Sequence, residues 1–151
     1  MMQKERILKS LRINYFISLA ATLFIIAAFE SGYLYKGALA NVLTPDATYA
    51  VEVVTVMLTI MFIPLAIKGY TRSLKKAHGM SEREFLKLYT KKSLQRIFIL
   101  FVAVAVSEFV YYGLNYEGAM YCAVLGYGAL LYSYPTKQVL EDYIQNLKNN
   151  K

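Results

Sequence analysis

Tryptophan is absent from this chain of 151 residues, cysteine and histidine occur once each, and proline only three times. One cysteine, Cys122, excludes a disulfide framework and any cysteine-rich metal centre. A Gly-rich phosphate loop, a G-x-S-x-G elbow, an HExxH pair and a CxxC pair are all missing. The reading is therefore a protein with no catalytic constellation, no cofactor and no metal site. Charge is scarce as well: 18% of residues are charged and only 10 are acidic, against 57% hydrophobic. That excludes the weakly hydrophobic, highly charged composition of a disordered chain.

What is present is a set of long apolar runs. Residues 13–35 hold one charge, Glu30; residues 47–67 hold Glu52 alone; residues 97–116 hold Glu108 alone; residues 118–136 hold none. A bilayer core about 30 Å thick needs about 20 such residues as helix. A soluble bundle would need a polar outward face, which the run IFILFVAVAV at 97–106 does not have. Lys4, Arg6, Lys9 and Arg12 before the first run would also suit a signal peptide, but the run exceeds the usual 7–15 apolar residues and no clear small-residue cleavage site follows. The expected fold is an all-α integral membrane protein, a four-helix transmembrane bundle forming one membrane domain over residues 1–151.

Sixteen of the 17 Lys and Arg fall in the N-terminal segment, in 68–96 or after residue 136, and only Lys36 falls elsewhere. The positive-inside rule then puts both termini in the cytoplasm, N-in and C-in, with a bacterial inner (plasma) membrane as the expected location. Nucleic-acid binding explains the basic blocks less well, because no recognition motif accompanies them.

Local signals set several helix ends. Thr44, Pro45 and Asp46 supply a capping hydroxyl, a first-turn proline and a first-turn acid, so the second helix starts at Pro45 and is expected to run to about His78, stopped by Gly79. Ser81 and Glu84 have capping-box spacing for a third helix over 82–114. Helices 2 and 3 therefore extend past the membrane as a basic cytoplasmic hairpin, about 68–96. The halves also match in outline as two tandem helical hairpins, each with an outer glutamate, a Gly-Ala turn and an inner proline.

Glu52 and Glu108 are the sharpest candidates. No Lys or Arg lies inside any run to pair with them, and a lone carboxylate at membrane depth is costly, so both should turn inward. Thr55 and Thr59 continue the Glu52 stripe, and Tyr111, Tyr112 and Asn115 continue that of Glu108. Two uses follow: hydrogen-bond glue between helices, or an outward-open proton or cation site. Glu30 and Glu117 add an acidic outer mouth. Tyr127, in the middle of the last run, needs a partner for its hydroxyl. Gly118, Cys122 and Gly126 form a small-residue ridge for close helix packing.

The basic face of the hairpin comprises Arg72, Lys75, Lys76, Lys87, Lys91, Lys92 and Arg96. It suits anionic lipid headgroups or another membrane protein. The expected function is a non-catalytic accessory or scaffold protein in the lipid bilayer, with no nucleic-acid partner and with room for a homo-oligomer. The competing expectation is a small cation or proton-coupled transporter that uses the intramembrane glutamates.

Overall fold

A computed structural model describes residues 2–77 and 80–149. Five helices appear among them, with no strand: α1 (Met2–Glu30), α2 (Pro45–Lys75), α3 (Glu82–Leu114), α4 (Glu117–Tyr132) and α5 (Lys137–Asn149). Three, Lys4–Glu30, Pro45–Lys75 and Glu82–Leu114, are long and apolar enough to cross a membrane.

The fourth expected span is shorter than its apolar run. Helix α4 has 16 residues, which makes about 24 Å at 1.5 Å per residue. Pro135 explains the early end, since a proline disfavours helical backbone at the residue before it. The first span is also corrected, from 13–35 to a helix that stops at Glu30, because Gly32 takes a left-handed φ of 82°.

The caps at the other ends form as expected. The Thr44 hydroxyl accepts from the Ala47 amide. The Glu84 amide donates to the Ser81 hydroxyl at 3.3 Å, while the Ser81 amide donates to Glu84 Oε2 at 3.1 Å. Helix α2 ends at Lys75, short of the expected stop; His78 and Gly79 lie outside the described residues.

Helix α3 is the axis. In its most apolar stretch 56% of residues are buried, against 17% in α1 and in α2. It lies antiparallel to α2 and α4, with α1 alongside and parallel to it: Lys4 meets Glu82 at one end, and Glu30 meets Tyr112 at the other. At the outer end, residues 31–43 close the C-terminus of α3. Gly37, Leu39 and Ala40 amides donate to the Tyr112 and Gly113 carbonyls, which have no partner within the helix.

At the other end of the bundle α5 completes a second core. Leu140 and Ile144 pack with Leu8 and Leu11 of α1, Tyr70 and Leu74 of α2, and Phe85 and Tyr89 of α3. The basic hairpin is thus built into a small bundle of its own.

Candidate functional site

On α3, residues Leu100, Val104 and Ser107 are buried against the other helices, and Glu108 follows at 3% exposure. Successive helical residues are rotated by about 100°. With Ser107 turned to α2, where its hydroxyl lies 3.5 Å from that of Thr59, Glu108 turns towards α4. There Tyr127 donates its hydroxyl to Glu108 Oε1 at 2.5 Å. The approach depends on Gly126, since a Cβ at that position would stand 2.6 Å from Val104 Cγ2. Thr22 of α1 is fully buried, and its hydroxyl donates to the Leu19 carbonyl of its own helix at 2.9 Å. Glu108 Oε2 is buried and has no hydrogen-bond partner among the described residues.

Glu52 does not join this cluster. It is half-buried on α2, and among the described residues no hydrogen bond or ion pair reaches it. Thr55 and Thr59 are buried as their stripe implied, but their hydroxyls donate to their own helix, to the Val51 and Thr55 carbonyls. The rotation between Ser107 and Glu108 gives the α2 face to a serine and the α4 face to the glutamate.

Tyr112 is also paired differently from the sequence reading. Its hydroxyl donates to Glu30 Oε1 at 3.0 Å, while Lys36 donates to Glu30 Oε2 at 2.8 Å. The Tyr112 ring stacks on Phe29 with centroids 4.7 Å apart. Glu30 is therefore bound by a cation and a phenol. Glu117 remains exposed in the first turn of α4. Tyr111 packs beside Val110, Leu114 and Ala119, and Asn115 ends α3 in the left-handed region at φ 54°.

At the α5 end of the bundle Arg72, Lys75, Lys76, Lys87 and Lys91 are exposed. Lys92 and Arg96 are half-buried and line a cleft between α2 and α3. The Arg96 guanidinium sits 4.0 Å over the Tyr70 ring and donates from Nη2 to the Ser133 carbonyl at 2.8 Å. Arg12 donates to the Pro135 carbonyl at 3.4 Å. The two arginines thus satisfy carbonyls freed where α4 ends. Cys122 and Gly126 are buried within the bundle, and Gly118 is half-buried against the Tyr116 ring, so the ridge is used for internal packing.

Among the described residues no group of three His, Cys, Asp or Glu gathers to hold a metal ion. No family model, curated protein or solved structure matches the chain. What it does has to follow from its own residues.

Proposed function

We propose that the chain is a four-span membrane protein, with both termini and the basic hairpin in the cytoplasm, that acts without catalysis as an accessory or scaffold. On this reading α4 crosses the bilayer with the help of the flanking 133–136 segment and local thinning, since a short span costs only fractions of a kcal/mol per Å of mismatch. A bacterial plasma membrane suits the charge asymmetry.

The observation that carries the proposal is the pairing of Glu108 with Tyr127. A glutamate bound to a phenol on the neighbouring helix serves as interhelical glue, of the kind that joins helices in lipid. Meanwhile α1 and α2 leave wide apolar faces uncovered by the chain, including Phe16, Ile17 and Phe24 on one and Val54, Met57 and Met61 on the other. Such faces suit lipid, a partner helix or a second copy.

A second reading is favoured by Glu108 Oε2, buried without a partner and one turn from Tyr112. Transport would use Glu108 as a titrating group, reached through the Glu30 and Tyr112 end.

Reconstitution into liposomes separates the two. The scaffold reading expects proton and cation flux equal to that of protein-free vesicles. Photo-crosslinkers placed at Phe24 or Met57 in native membranes should also yield a discrete protein adduct. Flux that disappears in Glu108→Gln would overturn it in favour of transport, and adducts to lipid alone would remove the scaffold role.

A further inference from the structure

Where α2 and α3 leave the apolar zone they enclose a cleft of about 170 Å³. Its walls include Gly69, Tyr70 and Ser73 from α2, and Lys92, Gln95 and Arg96 from α3. Gly69 faces open space, since a Cβ there would meet nothing within 4 Å, so a long side chain at this position would project into the hollow. A second groove of about 350 Å³ shares Leu65 and Gly69 with the cleft and continues along Ile60, Met61 and Pro64, with Lys68 and Arg72 at its lower end.

Together the two hollows have an amphiphile's shape. One end is cationic, with Lys68, Arg72, Lys92 and Arg96, and no carboxylate lines either hollow. The other end is apolar, and from Ile60 to Arg72 the helix rises about 18 Å. The ion pairs among the described residues join Lys4 to Glu82, Lys36 to Glu30 and Lys137 to Glu141, so none neutralises these four cations. Arg96 is held in place by Tyr70 and the Ser133 carbonyl, and its Nε is buried without a hydrogen-bond partner among the described residues. Lys92 is turned along the cleft by its bond to Gln95 Oε1 at 3.2 Å. A fixed guanidinium and a nearby ammonium at the boundary of an apolar zone are what a phosphate monoanion on a lipid would meet.

We propose that the α2–α3 cleft binds one anionic phospholipid from the cytoplasmic leaflet. Its headgroup phosphate lies between Lys92 and Arg96, with Lys68 and Arg72 flanking, and an acyl chain follows Ile60, Met61 and Pro64. The proposal rests on the membrane-spanning, N-in reading above and narrows its basic face to a defined site. The exposed Lys75, Lys76, Lys87 and Lys91 give only diffuse attraction.

The test uses the full chain purified in a non-ionic detergent, with native mass spectrometry counting bound phosphatidylglycerol against phosphatidylcholine. One retained phosphatidylglycerol is expected. Lys92→Gln should weaken it about fivefold, which is the loss for one surface charge worth about 1 kcal/mol. Gly69→Leu should abolish it by filling the cleft with no change in charge, whereas Lys75→Gln with Lys76→Gln should leave it in place. Because Arg96 also supports the fold, Lys92→Gln and Gly69→Leu carry the result. Inorganic phosphate and glycerophosphoglycerol should not compete. Equal retention of phosphatidylcholine, equal loss in the Lys75/Lys76 variant, or competition by free phosphate at lipid concentrations would overturn the proposal. Flux in liposomes would refute the scaffold reading without touching this one, and loss of lipid preference would leave the scaffold reading standing.

Discussion

Glu108 on α3 and Tyr127 on α4 meet because Gly126, next to Tyr127, removes the one side chain that would hold the two helices apart. Gly126→Val should therefore destabilise the bundle by about 1–3 kcal/mol, the usual penalty of overpacking. Val104→Ala in the same chain should recover much of it. Gly128, two residues on, has open space at its Cβ position, so Gly128→Ala should stabilise α4 by about 0.5–1 kcal/mol. Reversible unfolding in mixed micelles measures both, and equal effects at the two glycines would contradict the packing described.

Tyr127→Phe keeps the ring and removes the donor to Glu108. Interhelical hydrogen bonds in membranes average about 0.6 kcal/mol, with a maximum near 1.7, so a loss in that range is expected. Glu108→Gln should cost no more, because an amide oxygen still accepts from the phenol. A loss of several kcal/mol in the glutamine variant would mean that the carboxyl group itself is needed for the fold.

The cap at the start of α3 gives a pH-dependent term. Ser81 donates to Glu84 from both its amide and its hydroxyl, which holds the Glu84 carboxyl below its ordinary value of 4.5. A lowered folded pKa adds stability that is present above the unfolded value and is lost as pH falls through the folded one. Ser81→Ala should cost about 1 kcal/mol at neutral pH. Thermal melts between pH 7 and pH 3 should show a smaller acid-induced loss in Glu84→Gln, which has no carboxyl group to titrate, than in the parent chain. Identical pH profiles would deny Glu84 its capping role.

Leu140 is fully buried in the inner core although α5 lies beyond every apolar run. Leu140→Ala should destabilise that core by roughly 2–5 kcal/mol. Hydrogen exchange should rise at the α2–α3 turn and the start of α1, while the Glu108 region stays protected. Increased exchange confined to α5 would show that α5 docks only loosely.

The sequence made three long apolar helices legible through their length, and two helix starts through their caps, since Thr44-Pro45-Asp46 and Ser81 with Glu84 act within one turn. It left α5 hidden because charge in 137–149 outweighs a four-residue stripe. The spacing of Leu140, Tyr143, Ile144 and Leu147 at i, i+3, i+4 and i+7 was the available signal. In the candidate site, Glu108 and Tyr127 were each marked as needing a partner, but the pairing itself depends on the rotation of α3 between Ser107 and Glu108. Likewise, which tyrosine serves Glu30 is decided by α1 lying parallel to α3, a tertiary fact with no trace in local spacing.

That parallel arrangement has a consequence for biosynthesis. The partner of α1 is not the helix made next but the third, and 84 residues separate Glu30 from Leu114. At about 5–20 residues per second, α1 waits roughly 4–17 s before its partner is complete. During that interval its Thr22 and Glu30 have none of their final α3 and α4 neighbours. The order of synthesis thus makes the first helix wait longer than the second for α3, the neighbour that both share.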